Sequence, residues 1–243
     1  MEPNHPRSDD LIPAPIEAGE SPRHGFQGNR TPPPPPSGIP AGLTIAISRE
    51  AGSRGGTIGR RVGRKLGWPV YDQEVLEYTA QEGTFRQDFL ENLPPAAMTW
   101  AEERLQELLR SERLGQHPSI VNLARVVLAL GAQGGVVLIG RGAGCILPPA
   151  TTLHVRVVAP LADRIAYLAQ WARLTVEEAT ERVRLRDSRR AEFLATHFRR
   201  QPGDIYQYDL LLNSSLLGEE LCAELIVQAA RAKWAARPDA RVL

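Results

Sequence analysis

A glycine-rich loop separates the first apolar run of the chain from a helical pattern. It reads SREAGSRGGT, from Ser48 to Thr57. Loops of the form G-x-x-x-x-G-K-[ST] cradle phosphate oxygens with backbone N–H groups, place a lysine ammonium on the β/γ-phosphates and hold Mg²⁺ with the hydroxyl. Aligned on Thr57, Glu50 takes the place of the first glycine and Gly56 that of the lysine. The sequence therefore predicts a phosphate site without its usual cation.

Three arginines lie beside or just after the glycines of this loop: Arg54, Arg60 and Arg61. A helix that begins here would direct the positive end of its dipole at an anion. Any of the three guanidinium groups could replace the missing ammonium, and Arg54 belongs to the loop itself. Because glycine-rich turns between a strand and a helix can also serve packing alone, the loop by itself leaves both interpretations open.

A second candidate is Arg141, which follows the apolar run Val136–Ile139 and lies between Gly140 and Gly142. Ligands of open α/β sheets bind at the carboxyl ends of the strands. A guanidinium suits a phosphate because its planar fork makes two parallel bonds to one group. We therefore expect Arg141 to hold an anion, with an ion pair to a surface carboxylate as the alternative.

Asp72 directly follows a short predicted strand. Its carboxylate could contact a substrate, or it could cap the helix that begins at Gln73, and the two roles are compatible. His154 and His197 lack a partner spacing that would suit a metal, and no serine or cysteine near them is set up as a nucleophile. We interpret both histidines as structural.

The segment from Glu181 to Arg200 is rich in arginine and includes Arg186, Asp187 and Arg190. Such a run is usually a solvated helix face. It becomes a lid where mobile arginines close over phosphates and stabilise the charge of a transferring group.

Short apolar runs alternate with helical patterns from Leu43 onward, which is typical of a parallel sheet with helices on both faces. Strands are predicted at Leu43–Ile47, Pro69–Tyr71, Val136–Ile139, Leu153–Val158 and Leu210–Leu212. The predicted helical parts are a first helix from about Thr57 to Gly67, an insertion over residues 73–133, a long helix opened by the capping box of Thr175 and Glu178, and a last helix from Gly218 to Trp234.

Composition limits the classes of protein that remain. The chain has 243 residues, of which 42% are hydrophobic, and a net charge of +1, which argues against a nucleic-acid binder. No run reaches the roughly 18 apolar residues of a membrane span. Residues 1–40 are rich in proline and predict a disordered tail. Cys145 and Cys222 lie in apolar surroundings, which favours a reducing, cytoplasmic location.

The order of these elements resembles the cytidylate kinases among the P-loop nucleoside monophosphate kinases, and more closely the cytidylate kinase-like family. The resemblance covers about residues 43–230. It rests on the segments ISREAGSRGGTIGRRVGRKLGWPVYDQE, VVLIGRGAGCILPPATTLHVRVVAPLADRI, RLRDSRRAEF and YDLLLNSS. It implies an α/β P-loop kinase fold over residues 41–243: a five-stranded parallel sheet flanked by helices, a helical acceptor-side insertion (73–133) and an arginine-rich lid segment (175–203).

The resemblance also implies roles for particular residues. Gly52, Ser53, Arg54, Gly55, Gly56 and Thr57 would hold the phosphates of ATP, with Thr57 on Mg²⁺. Arg141 would bind the α-phosphate of the acceptor, with Asp72 and Asp187 as further substrate contacts, and Arg54, Arg141, Arg186 and Arg190 would be catalytic. Residues 213–215 would follow the last strand near the adenine of the donor. The aspartate that the family places after Arg141 is Gly142 in this chain.

The expected activity is transfer of the γ-phosphoryl group of ATP to a nucleoside monophosphate, with CMP or dCMP as acceptor. Positioning and cations supply most of the acceleration of such a reaction. Because the lysine is missing, the alternative is a catalytically impaired nucleotide-binding regulatory protein. The expected partners are small nucleotides, without nucleic acid or membrane, and the sequence leaves the oligomeric state open.

Overall fold

A computed structural model describes residues 42–81 and 94–236 of the chain. The predicted tail, residues 1–40, lies outside these ranges. Residues 82–93 of the predicted helical insertion lie outside them as well. Within the described ranges, no helix combines the length and the apolar character that crossing a bilayer requires.

Five parallel strands form one sheet in the order β2-β3-β1-β4-β5. Their bounds are β1 Thr44–Arg49, β2 Val70–Tyr71, β3 Val136–Ile139, β4 Thr152–Val158 and β5 Leu210–Asn213. All five predicted strands are confirmed, with ends that shift by at most two residues. Since parallel strands share a direction, the segments that follow them gather at one edge of the sheet.

Helices connect the strands and cover both faces of the sheet. Their bounds are α1 Gly55–Leu66, α2 Gln73–Gln81, α3 Pro95–Arg110, α4 Pro118–Gln133, α5 Ala143–Ile146, α6 Leu161–Ala172, α7 Val176–Phe198 and α8 Ser214–Ala235. α1 begins two residues before the predicted start. α8 has non-helical backbone at Gly218 (φ 73°), the residue where the last helix was predicted to begin.

The side chains of β1 alternate between two cores, as the period of two along a strand requires. Ile45 and Ile47 pack with residues of α1 and α8, whereas Ala46 packs with residues of α2, α3 and α4. The helical insertion therefore covers one face of the sheet, and the first and last helices cover the other.

The caps at the start of α7 and at the end of α1 are those that the sequence predicts. Thr175 Oγ1 accepts a hydrogen bond from the Glu178 N–H (3.2 Å), and Glu178 Oε2 accepts one from the Thr175 N–H (2.8 Å), which confirms the capping box that opens α7. Gly67 ends α1 in the left-handed region, at φ 69°. These caps set where α1 stops and where the 23 residues of α7 begin.

Candidate active site

A cavity of about 950 Å³ opens at the edge of the sheet where the strands end. Its wall contains residues of the glycine-rich loop (50–57), of the segments after β2 and β3, and of α6 and α7. Eight arginines line it, against four carboxylates, which belong to Glu50, Asp72, Glu74 and Asp187. The excess of positive charge suits the cavity to anionic ligands.

The glycine-rich loop ends at the N-terminus of α1, in the wall of this cavity. Arg54 is the N-cap residue, with φ 60°, and no side chain caps the helix or places an acid in its first turn. First-turn N–H groups have no partner within their own helix, so an uncapped N-terminus suits an anionic ligand. Thr57 lies in this turn, and its hydroxyl makes no hydrogen bond to any residue of the described ranges.

Asp187 of α7 holds the glycine-rich loop in place. Its Oδ1 accepts a hydrogen bond from the Ala51 N–H (2.7 Å), and its Oδ2 accepts one from Arg164 Nη1 (2.5 Å). Arg164 is 8% exposed and also donates to the Ala51 carbonyl (3.1 Å). Both oxygens of Asp187 are therefore used by the protein, and its predicted contact with a substrate stays a prediction.

Glu50, which replaces the first glycine of the usual pattern, turns toward the connection between β4 and α6. Its Oε2 accepts a hydrogen bond from the Ala159 N–H (3.2 Å) and lies 3.4 Å from Arg164 Nε. Gly52 has φ 81°, and a Cβ there would lie 2.5 Å from the Arg164 carbonyl oxygen. The loop is thus fitted closely around Arg164.

The structure separates the three arginines that could replace the missing lysine. Arg61 points to α8, where it pairs with Glu219 (3.2 Å) and Glu220 (2.9 Å), and it is not among the residues that line the cavity. Arg54 lies over the ring of Tyr167, with Cζ 4.8 Å from the ring centroid.

Arg60 lies over the lysine position itself. A Cβ at Gly56 would be 3.8 Å from both terminal nitrogens of the Arg60 guanidinium. This group lies 4.0 Å from Asp72 Oδ2 and remains largely exposed. Of the three arginines, Arg60 therefore comes nearest to the position from which a lysine would start.

Arg141 occupies a sharp turn after β3. Gly140, Arg141 and Gly142 all have positive φ, at 87°, 52° and 68°. For a residue with a Cβ such backbone costs roughly 1–2 kcal/mol, and it persists at functional sites where the surroundings enforce it. The turn places the guanidinium of Arg141 in the cavity wall.

The ion-pair interpretation of Arg141 is confirmed, and its contact with an anion stays a prediction. Its Nη2 pairs with Glu77, and its Cζ lies 4.9 Å from the centroid of the Phe193 ring. Its Nε is buried and has no hydrogen-bond partner within the described ranges. Burial lowers the pKa of Arg141, and Glu77 opposes that shift.

Phe198, the last residue of α7, leaves no room for a side chain at Gly142, where the resemblance implied an aspartate. A Cβ at Gly142 would come within contact of three ring carbons of Phe198. Aspartate at position 142 would therefore collide with the end of α7.

Asp72 caps helix α2 and also lines the cavity. Its Oδ1 accepts a hydrogen bond from the Val75 N–H (3.3 Å) at the start of α2, and the residue also lines the cavity. The capping role is confirmed, and the substrate contact stays a prediction.

The arginine-rich run divides between solvent and the cavity. Arg186 and Arg190, one turn apart on α7, both line the cavity, whereas Arg182 and Arg184 do not. Arg190 Nη1 donates to the Arg49 carbonyl (3.3 Å). Burial is the main cause that lowers the pKa of both cavity arginines. α7 therefore lies against the loop in this structure, as a closed lid would.

Two further arginines line the cavity, Arg49 and Arg156, and neither was predicted from the sequence. Arg49 is the last residue of β1, and burial lowers its pKa to about 9, assisted by the nearby charge of Arg190. Arg156 on β4 lies 3.7 Å from Glu50 and over the Tyr208 ring. The strand-end argument that identified Arg141 applies to Arg49 as well and could have found it.

His154 is buried at the base of the site. Its Nδ1 is 2.8 Å from the Gln207 carbonyl oxygen and its Nε2 is 3.3 Å from Ser48 Oγ. Burial lowers its pKa to about 4, so the ring is neutral near pH 7. These contacts support the structural interpretation. Residues 42–81 and 94–236 contain no cluster of three histidines, cysteines or acids that could hold a metal.

The strand order β2-β3-β1-β4-β5, with a glycine-rich loop between β1 and α1 facing the cavity, defines a P-loop kinase fold. Residues 44–216 match the model of the cytidylate kinase-like family. The chain belongs to that family, which confirms the resemblance given by its sequence.

Solved structures are similar to this chain at low sequence identity. An uncharacterized protein from Eubacterium ventriosum ATCC 27560 is 16% identical, with a TM-score of 0.55, and the match covers 78% of this chain and 99% of that one. Shikimate kinase from Bacteroides thetaiotaomicron is 18% identical, with a TM-score of 0.42, over 78% of this chain and 97% of that one.

One curated relative matches over part of its length. Uronate isomerase from Corynebacterium glutamicum is 30% identical over 110 residues, which are 45% of this chain. The match covers 21% of the isomerase, about a fifth of its length.

Proposed function

We propose that the protein is a nucleotide phosphotransferase that moves the γ-phosphoryl group of ATP to a nucleoside monophosphate, with CMP or dCMP as the acceptor. The observation that carries the proposal is that two features suited to anions line one cavity. They are the uncapped N-terminus of α1 and the turn that carries Arg141.

The charge of the cavity fits two nucleotides. Its eight arginines exceed its four carboxylates by four. A nucleoside monophosphate carries roughly −2 at neutral pH, and ATP with bound Mg²⁺ carries a similar charge. The pair would neutralise the cavity, whereas a single monophosphate would leave about half of the excess unpaired.

The glycine-rich loop would bind the donor, through the N–H groups of Gly55, Gly56 and Thr57 in the first turn of α1. Thr57 fits a Mg²⁺ site because its hydroxyl has no protein partner in the described ranges. Mg²⁺ accepts one protein ligand and otherwise phosphate oxygens and waters, and when bound it neutralises phosphate charge. A cluster of protein carboxylates is therefore unnecessary.

Arg141 would hold the phosphate of the acceptor, and Arg186 and Arg190 would stabilise the charge of the transferring group. All three guanidinium groups belong to one cavity wall, and nearby cations help to lower the pKa values of Arg186 and Arg190. Cations held close together gain most when an anion enters, because the anion replaces repulsion with attraction.

The test is a transfer assay with purified protein, ATP, Mg²⁺ and each nucleoside monophosphate in turn, with products separated by chromatography. We expect CDP or dCDP to form faster than any other diphosphate. If no acceptor yields a diphosphate above the enzyme-free rate, the proposed activity is excluded.

The second candidate is a nucleotide-binding protein without turnover, which the missing lysine at Gly56 and the missing aspartate at Gly142 favour. Titration calorimetry with ATP distinguishes the two. Tight binding without any product supports the second candidate, and failure to bind any nucleotide excludes both. For either candidate we expect a reducing, cytoplasmic location, since Cys145 and Cys222 are both free thiols.

A further inference from the structure

We propose that Arg49 has taken over the role of the missing lysine and contacts the phosphoryl group that passes between donor and acceptor. The inference rests on the proposed phosphotransferase function, and it names a residue that the sequence pattern of phosphate loops does not contain. Its support is the path of one side chain, from the end of β1 past the start of α1 to the turn that carries Arg141.

The first part of this path crosses the start of α1. A Cβ built at Gly55 would lie 2.5 Å from Arg49 Cβ and 3.1 Å from Arg49 Cγ. Any side chain at position 55 would therefore compete with Arg49 for the same space. The loop lacks a lysine where its helix begins, and the stem of Arg49 occupies the room beside that point.

The second part of the path reaches the acceptor side. The guanidinium of Arg49 lies against Gly140, where a Cβ would collide with Nη1. Gly140 is also held at φ 87°, which a side chain would strain. Arg49 thus lies between the glycine-rich loop and the Arg141 turn, which is the space that a group in transfer must cross.

The N–H donors of the Arg49 guanidinium are unused within the described ranges. Within residues 42–81 and 94–236 it makes no hydrogen bond and no ion pair, although the charge of Asp72 acts on it from a distance. By contrast, Arg61 is paired with two carboxylates and Arg141 with one. A partly buried cation without a partner is the group most able to bind an incoming anion.

The backbone of Arg49 is fixed by hydrogen bonds, whereas its guanidinium makes none within the described ranges. Its carbonyl accepts the hydrogen bond from Arg190, and β1 pairs with β4 as far as Arg49, opposite Val157. Burial is the main cause that lowers the pKa of Arg49 to about 9, and the charges of Arg190, Arg141 and Arg186 lower it further. An anion placed among these four cations would relieve their mutual repulsion.

The step itself needs no other reactant. An oxygen of the acceptor phosphate forms a bond to the terminal phosphorus of ATP, and the bond from that phosphorus to the bridging oxygen breaks. The electron pair of that bond leaves with ADP. Charge builds up on the three outer oxygens of the group in transfer, and Arg49 would donate N–H bonds to them.

The experiment compares Arg49→Gln and Arg49→Lys with the wild type in the transfer assay and in titrations with ATP and with inorganic tripolyphosphate. Arg61→Gln is the matched control, since Arg61 is bound to α8. We expect Arg49→Gln to lower kcat at least about 100-fold, as the loss of a transition-state arginine does. Arg49→Lys should recover part of that loss, and the control should stay within about twofold. Unfolding curves of all variants verify that they fold.

Moving the positive charge from position 49 to position 55 tests whether its location matters as well as its presence. Arg49→Gly should empty the space beside Gly55, and Arg49→Gly/Gly55→Lys should place a lysine there. Higher activity of the double variant than of Arg49→Gly supports the inference, and equal activity contradicts it.

The outcomes separate this inference from the function on which it rests. If the wild type transfers phosphate and Arg49→Gln does so equally well, the inference is wrong and the phosphotransferase stands. If the wild type binds ATP without turnover, the phosphotransferase fails and tripolyphosphate affinity decides: a tenfold or larger loss in Arg49→Gln supports phosphate contact, and unchanged affinity overturns it. A wild type that binds neither ATP nor tripolyphosphate overturns both.

Discussion

Asp187 accepts a hydrogen bond from the Ala51 N–H at 2.7 Å, and this bond joins the arginine-rich helix α7 to the glycine-rich loop. The other oxygen of Asp187 accepts from Arg164, which also donates to the Ala51 carbonyl. One carboxylate and one guanidinium thus connect α7 to the loop. Arg186 and Arg190, on either side of Asp187, are thereby kept at the cavity wall.

Asp187→Ala should therefore weaken the fold and the site together. It leaves the buried Arg164 with Glu50 as its remaining carboxylate partner and the Ala51 N–H without an acceptor. We expect the free energy of unfolding to fall by about 1–3 kcal/mol, the usual cost of an unsatisfied buried group. Denaturant unfolding measures this loss of stability. The apparent affinity of the same variant for ATP should also fall.

Glu181→Ala is the matched control, since Glu181 is an exposed acid on the same helix. It removes one carboxylate from α7 without touching the loop. Equal unfolding midpoints for the two variants would contradict the role given to Asp187.

Gly142→Ala should be more destabilising than Gly67→Ala. Both glycines have nearly the same left-handed backbone, at φ 68° and 69°. A Cβ at Gly67 would meet nothing within 4 Å, whereas one at Gly142 would collide with Phe198. Gly67→Ala should cost about 1 kcal/mol from backbone strain. Gly142→Ala should cost about 1–3 kcal/mol more, from overpacking. Denaturant unfolding of the two variants isolates the cost of the collision with Phe198. Equal losses of unfolding free energy would contradict that collision.

His154 should make stability depend on pH below neutrality. Its folded-state pKa, about 4, lies below the ordinary value of 6.5, so the unfolded chain binds a proton that the folded chain excludes. The stabilisation is complete above pH 6.5 and is lost as pH falls toward 4. From these two values, the free energy of unfolding should drop by about 2 kcal/mol between pH 7 and pH 5.

His154→Gln removes the titrating group, so its unfolding free energy should change less over the same interval, whatever its absolute stability. Urea titrations at four or five pH values give both slopes. Parallel slopes for the wild type and the variant would rule out His154 as the source.

Arg60→Gln should weaken ATP binding more than Arg61→Gln. The two residues are neighbours in α1, but Arg60 lies over Gly56 and Arg61 pairs with Glu219 and Glu220 on α8. Because Arg60 is largely exposed, we expect a loss of only about 0.5–1.5 kcal/mol in ATP affinity, a few-fold to tenfold. Calorimetric titration gives both affinities, and a larger loss in Arg61→Gln would reverse the assignment.

The sequence predicted those features that depend on residues close to one another along the chain. The five apolar runs predicted the strands, and Thr175 with Glu178 predicted the start of α7. The glycine-rich loop and the Arg141 turn were found because glycine marks backbone that side chains would strain. Arg49 ends β1, so the strand-end argument could have found it, but the reach of its side chain to Gly140 is a contact that only the fold supplies.

The amino-acid sequence by itself determined the α/β class, the strands, the family and the two loops that meet at the cavity. These features depend on period, caps and turns, which act over a few residues. Only the tertiary structure decided where each arginine side chain lies. It turned Arg61 toward α8, placed Arg60 over Gly56 and brought Arg49 beside Gly55 and Gly140. Distances between residues far apart in the chain arise when strands pair and helices pack, so a local pattern does not contain them.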